Sequence, residues 1–441
     1  VASVAHSLLG VWAAGLFLAA GCGSPDPGVA IGRSLRLAIA NGQTPNFGPI
    51  ATNGTAYRSC TLSNIGARPT SLDAISFQAG TSADFALQSR DCVVAPGYVF
   101  PVGATCSITI GFSPSADAPE AGTMVVTGAN GDMVSLTFMG SGTAPVPFTE
   151  YPVPTANSRP GALGAGSDGA LWFSEDQAHQ IGRVTTTAVF TEYPNPIVNA
   201  ALEVVAPGPA SDGALWYADR DNNQVVRIAM DGTISTYPTP TLNEPEGIAL
   251  GPDNAFWVTA YGGTVGRVTT AGVVTGTFAV PTLNAAAGSI TAGPGQTLWF
   301  TEYDAGQIAR VELDGSITEF SLLPAPPQGP IAITAGPDGQ LWFVDSGEVG
   351  AITSRGAVTM IPVLNAGGAG SVIAAGPDGA LWFTEPSGNS IGRVDTNGSV
   401  LELRLPTANA QPTGLAVGAD GAIWFTENSA NQIGRLVPGA R

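Results

Sequence analysis

Six carboxylates, Glu175, Asp219, Glu302, Asp345, Glu385 and Glu427, each stand three residues after a tryptophan. Those tryptophans belong to a series, Trp172, Trp216, Trp257, Trp299, Trp342, Trp382 and Trp424, spaced 40 to 44 residues apart. Oxygen ligands suit Mg²⁺ or Ca²⁺, so the acids form a candidate metal site if the fold gathers the repeats around one axis. The competing reading is structural, with each acid bonding loop amides or the arginine of the Ile-Gly-Arg stretch that follows. Ala260 beside Arg267, and Asp345 beside Ala351, show that neither partner requires the other. A second repeated position reads Gly161, Glu203, Glu246, Gly288, Ile331, Ser371 and Thr413. Glu203 and Glu246 are acidic where the other repeats are not, which makes them the candidate ligand-binding pair, with solvated loop carboxylates as the alternative.

The elements that must position these groups are strands. From Pro245 onward one unit holds four short runs, Gly247 to Leu250, Phe256 to Thr259, Val265 to Val268 and Val273 to Phe278, separated by Gly, Pro, Asn and Asp. Short β-branched or aromatic runs with such punctuation predict a four-stranded hairpin array, A to D. A unit of this size cannot bury its own faces, so copies must stack, and four strands per copy make propeller blades. The spacing predicts an all-β chain with a seven-bladed β-propeller over 144–441. The last copy ends at Leu436 without a fourth strand, while 147–152 reads as a fourth strand with no blade before it, so the two are expected to pair. Strands A and B run antiparallel, which places the position leading into A and the position leaving B at one mouth of the channel. We call them the lead and exit positions.

A net charge of −18 and a pI near 4.3 argue against nucleic acid as a partner, because such binding rests on positive charge. Leu8 to Ala20 is apolar but short for a membrane span and runs into Ala19-Ala20-Gly21-Cys22. This resembles a bacterial lipobox, which implies a signal over 1–22, lipidation of Cys22, membrane attachment through that lipid alone, and a place outside the cytoplasm. A linker is expected over 23–31 and an immunoglobulin-like β-sandwich over 32–143, with alternating runs at Tyr57 to Leu62, Thr105 to Phe112, Gly122 to Val126 and Met133 to Met139. Its stretches from Cys92 to Gly97, Cys106 to Pro114 and Leu136 to Gly142 resemble choice-of-anchor D domains of bacterial surface proteins, which suggests a spacer. In an oxidising compartment Cys92 and Cys106 are expected to pair, leaving Cys60 as a buried thiol.

The phrases Trp-Phe-Thr-Glu, Asn-Gln-Ile-Gly-Arg (Asn431 to Arg435) and Thr-Glu-Tyr-Pro (Thr191 to Pro194) closely resemble the virginiamycin B lyase family. The resemblance implies a monomeric seven-bladed propeller that opens streptogramin B antibiotics by Mg²⁺-assisted elimination. It places the family's two catalytic histidines at Ser371 and Thr413 and one glutamate at Gln411, and it retains the exit glutamate as Glu427. The chain has two histidines, His6 in the leader and His179 in a loop, so none replaces that pair. The expectation is therefore an exported propeller acting as a binding platform for a small molecule, peptide or glycan. A streptogramin-type or gluconolactonase-like enzyme is the alternative.

Overall fold

Turn punctuation and short apolar runs give antiparallel meanders of four strands in the computed structural model of the chain, which describes residues 29–439 except 40–43, 96, 198–201, 323–328, 346 and 364–371. The leader with Cys22 lies outside the described residues. The first meander is Pro160–Ala165, Leu171–Glu175, Gln180–Val184 and Phe190–Pro194. Its strand B is buried at every residue, because both faces meet neighbouring sheets, which is why the sequence there runs apolar without alternating. The A-to-B turn needs a left-handed residue, supplied by glycines such as Gly169 (φ 76°) and Gly379 (φ 75°).

An aspartate in the A-to-B turn organises every sheet but that of Trp299, whose indole donates to Thr297 at 3.0 Å instead. Trp216 Nε1 donates to Asp212 at 2.8 Å and Trp382 Nε1 to Asp378 at 2.9 Å. The strand-C arginine reaches the same acid, with Arg183 to Asp168, Arg393 to Asp378 and Arg435 to Asp420 all at 2.7 Å. That guanidinium also lies over the indole, 5.6 Å from the Trp424 ring for Arg435, and a strand-D aromatic stacks on the same indole, as Tyr193 does on Trp172 at 5.4 Å. This corrects the expectation that the Ile-Gly-Arg arginine meets the exit carboxylate. The turn aspartate lies one strand away at the other end of B, and the guanidinium bonds there instead.

Successive A strands pack against one another, and Pro412–Val417 packs back against Pro160–Ala165, so the meanders form a closed propeller. A strand over Phe148–Pro152 pairs antiparallel with Gln432–Leu436 from Phe148↔Leu436 to Pro152↔Gln432. It is the outermost strand of the sheet that carries Trp424.

Ahead of it lie nine strands: β1 Val29–Ile31, β2 Leu35–Ile39, β3 Asn46–Ala51, β4 Gly54–Asn64, β5 Leu72–Phe77, β6 Phe85–Arg90, β7 Thr105–Phe112, β8 Pro119–Gly128 and β9 Asp132–Thr143. They form two sheets, one holding β1, β2, β4, β7 and β6, the other β3, β9, β8 and β5. Phe47, Phe85, Phe112 and Phe138 interlock between them. Cys92 and Cys106 form a disulfide with an S–S distance of 2.04 Å, and Cys60 is a free, buried thiol that burial pushes up to about 12.

Two points differ from the sequence reading. The first strand begins at Val29, inside the expected linker, because Val29 to Ile31 can extend the sheet beside β2. The sandwich also joins the propeller by strand pairing, a contact the sequence reading did not include. β4 pairs antiparallel with Val400–Arg404, the outer strand of the sheet carrying Trp382, in the register Gly54↔Leu403, Thr55↔Glu402 and Ala56↔Leu401. One sheet thus runs from the sandwich into the propeller and covers an edge that would otherwise stay open.

Candidate functional site

The lead positions owe their placement to a repeated fault in the ladder. Between strands A and B the register shifts at Pro160/Leu163, Leu202/Val205, Pro245/Ile248, Ala287/Ile290 and Pro412/Leu415. Residues inside such a bulge leave the pairing and re-aim their side chains. Gly161, Glu203, Glu246, Gly288 and Thr413 are the first residues inside these bulges. In the sheets of Trp172, Trp257, Trp382 and Trp424 a hydroxyl one residue before the exit position, on Ser174, Thr259, Thr384 or Thr426, accepts a backbone amide at the start of strand A. Thr426 Oγ1 accepts the Gly414 amide at 2.7 Å and donates to the Gly161 carbonyl of the next sheet at 2.7 Å. Thr384 does the same between Val372 and Thr413, at 3.3 and 3.2 Å. Thr384 and Thr426 are therefore links between sheets, as is Thr259 through the Gly288 carbonyl.

The exit carboxylates point elsewhere. Glu175, Asp219, Glu302, Glu385 and Glu427 are fully buried and Asp345 is 2% exposed. Burial first, then the nearby Glu192, pushes Glu175 up to about 7. Burial with Glu319 pushes Glu302 up to about 8, burial with Glu150 pushes Glu427 up to about 8, and burial with Glu348 pushes Asp345 up to about 7. Glu385 is raised too, by burial and then by Glu402. Three of the partner acids of strand D are capped by a loop threonine, and the fourth, Glu402, accepts the Tyr57 hydroxyl. Thr282 gives Glu319 its amide at 2.7 Å and its hydroxyl at 3.0 Å, and Thr155 and Thr407 treat Glu192 and Glu150 alike. Asp219 instead accepts amide hydrogens from Asn222 and Gln224, the latter at 2.7 Å.

No three of these six carboxylates lie close enough to share one ion. Among the described residues the one trio of candidate ligands within 4.8 Å is Asp91, Cys92 and Cys106, two of which are in the disulfide.

Two of the family-equivalent positions are engaged in local hydrogen bonds. The Thr413 hydroxyl shares a hydrogen bond with Thr426 at 3.0 Å, and Gln411 Oε1 accepts the Ser429 hydroxyl at 2.6 Å. Ser371 lies outside the described residues, as does the side chain of Glu203. His179 is exposed, in the left-handed region (φ 53°) of the turn after Glu175.

The mouth contains residues that the sequence reading passed over. Arg220 reaches Glu244 Oε2 at 3.1 Å and Glu246 Oε2 at 4.0 Å. Its guanidinium lies 4.6 Å from the centre of the Tyr261 ring, and the Tyr261 hydroxyl donates to Asp304 at 3.4 Å. Tyr261 and Tyr303 are 39% and 37% exposed. Their backbone amides bond Glu244 and Ala286 carbonyls, in loops where Arg159, Glu244, Ala286 and Gln411 all hold φ between 51° and 55°. Non-glycine residues in that region recur at functional sites. A signal was present: the residue after the exit position reads Asp176, Arg220, Tyr261, Tyr303, Ser346, Pro386 and Asn428, a varied column inside an otherwise repeated phrase.

The profile of the virginiamycin B lyase family matches residues 116–322 and again 244–441. A streptogramin B lyase structure is similar over 66% of this chain and 97% of its own, with 28% identity and a TM-score of 0.61. Virginiamycin B lyase from Staphylococcus aureus is similar over 66% and 99%, with 32% identity and a TM-score of 0.61. The extracellular domain of a hybrid two-component system from B. thetaiotaomicron shares the fold at 14% identity, over 72% of this chain and 44% of that one, with a TM-score of 0.55. Comparison with curated proteins yields no match.

Proposed function

This chain belongs to the virginiamycin B lyase family, and we propose that it is a seven-bladed, monomeric member whose channel mouth binds a peptide-like or glycan ligand without carrying out the family's elimination. The observation that carries this reading is the mouth network of Glu246, Arg220, Tyr261 and Asp304. Two half-exposed tyrosine faces beside carboxylates suit a ligand with flat apolar surfaces and positive charge.

Elimination needs a base to take a proton and a cation to hold developing negative charge. Where the resemblance places histidines this chain has Ser371 and Thr413, and neither side chain is a base near neutral pH. Gln411 and Thr413 are engaged with neighbours, and Glu427 is fully buried against Glu150. These donors do not fit a magnesium ion, and in this reading the six exit carboxyls serve their own sheets.

The same proposal places the protein outside the cytoplasm, held by a lipid on Cys22, with β1–β9 as an immunoglobulin-like domain of the choice-of-anchor D kind. The disulfide at Cys92 supports an oxidising compartment. No helix among the described residues is long and apolar enough to cross a membrane.

The test is incubation with a streptogramin B and Mg²⁺, followed by reversed-phase chromatography, because elimination leaves the mass unchanged. The expected result is unaltered antibiotic. Ring opening that Glu427→Gln abolishes would replace this reading with the lyase.

A further inference from the structure

One end of the sandwich is unlike the rest of the molecule. The loop from Cys92 to Ala104 contains no charged residue, yet Val93, Tyr98, Val99 and Val102 in it are 41–57% exposed. Ile31, Ile65 and Met133 crop out beside it, so seven of the thirteen large apolar side chains exposed among the described residues share this end. The described residues of the loop are held in place. The disulfide closes its base, Thr70 and Phe100 exchange backbone hydrogen bonds, and Asn64 Nδ2 donates to the Phe100 carbonyl at 2.9 Å. A cleft of about 330 Å³ lies next to it, lined by Arg33, Ser34, Arg68, Thr70 and Asp132 among others.

Charge sets this end apart as well. Arg33, Arg36, Arg68 and Arg90 are exposed here in a chain of net charge −18. The acids present are largely engaged. Asp132 accepts the amides of Arg33 and Ser34 at 2.8 and 2.7 Å, Asp91 accepts the Ser107 amide, and Asp73 accepts the Ser71 hydroxyl at 3.2 Å.

We propose that this end is a membrane-docking surface, the apolar loop entering the phospholipid interface while Arg33 and Arg68 meet lipid phosphates. Apolar side chains with basic residues around them bind interfaces in this way. The position agrees with it. β4 meets the propeller at Gly54–Ala56, whereas the loop packs beside its far end at Asn64, so docking would hold the channel away from the bilayer. If Cys22 carries a lipid, the seven steps from Cys22 to Val29 span at most about 25 Å, which keeps the sandwich at the surface. The inference rests on the anchor reading for that placement, but its test does not.

The test uses the chain from Gly23 onward, which keeps every described residue and excludes both leader and lipid. Flotation with phosphatidylcholine vesicles containing phosphatidylglycerol should carry the protein upward. Val99→Asp with Val102→Asp should reduce the bound fraction roughly tenfold. Arg33→Ala with Arg68→Ala should remove the preference for phosphatidylglycerol over phosphatidylcholine alone. Val273→Asp, an equally exposed apolar site on the propeller, should change nothing. No flotation of the unaltered chain, flotation unaffected by the loop pair, or a loop-dependent dimer in sedimentation without vesicle binding would each overturn the proposal.

Discussion

The Thr426 hydroxyl donates to the Gly161 carbonyl at 2.7 Å across 265 residues of chain, joining the last sheet of the propeller to the first. Its counterparts link interior neighbours, but this one closes the ring. Thr426→Val keeps the shape and removes the donor, leaving the Gly414 amide and Gly161 carbonyl without their shared partner. The expected loss is about 1–3 kcal/mol in urea unfolding. Thr277→Val, whose hydroxyl makes an exposed 3.3 Å contact, should cost under about 0.5 kcal/mol.

The buried exit carboxyls predict a loss of stability on the alkaline side. Glu302 and Glu427 sit at about 8, and Glu175 and Asp345 at about 7. The folded state therefore holds these protons more tightly than the unfolded chain. That contribution is fully present below the ordinary carboxyl range and is lost as pH rises through 7 to 8. Melting temperature should fall between pH 6 and pH 9. Glu302→Gln, which keeps the shape without the charge, should flatten the fall and stabilise the protein at pH 9 by on the order of 2–4 kcal/mol.

The turn aspartates set the opposite limit. Burial alone would raise Asp168, Asp253 and Asp420, but the bonds from their arginine and tryptophan outweigh it and hold these carboxyls below the usual range. Their contribution exists above the unfolded value and disappears as pH falls below about 4. An Asp253→Asn variant should lose about 1 kcal/mol at pH 7 and almost nothing at pH 3, measured by denaturant titration.

The junction predicts a coupling. Tyr57 is 3% exposed and its hydroxyl donates to Glu402 at 2.8 Å. Tyr57→Phe removes that donor from a buried carboxyl and should cost about 1–3 kcal/mol. Calorimetry should then separate a sandwich transition from the propeller transition, where the unaltered chain shows one.

The propeller could be read from the sequence because its repeats restate one pattern: Trp172, Trp216, Trp257 and Trp424 each meet a turn acid, an arginine and a second ring, and the other three keep part of that set. The strand at Phe148 was legible for a related reason, as an unpaired copy of a repeated phrase. What the sequence hid was direction. Glu175 to Glu427 recur at one position, but recurrence does not say whether a side chain faces the channel or the next sheet, and the strand-D acids that face them lie on another strand. The pairing of Gly54–Ala56 with Leu401–Leu403 was hidden too, since an edge strand carries no mark of its partner. Arg220 and Tyr261 stood in the varied column, where no recurring residue type marks a shared role.

Binding without chemistry at the mouth is tested in both halves at once by isothermal titration of a streptogramin B, a peptide-like ligand, into the chain with Mg²⁺, with the cell contents chromatographed afterwards. It predicts saturable heat that Tyr261→Ala removes and a single peak of intact antibiotic. Heat that persists in Tyr261→Ala, or a second peak of linear product, would contradict it.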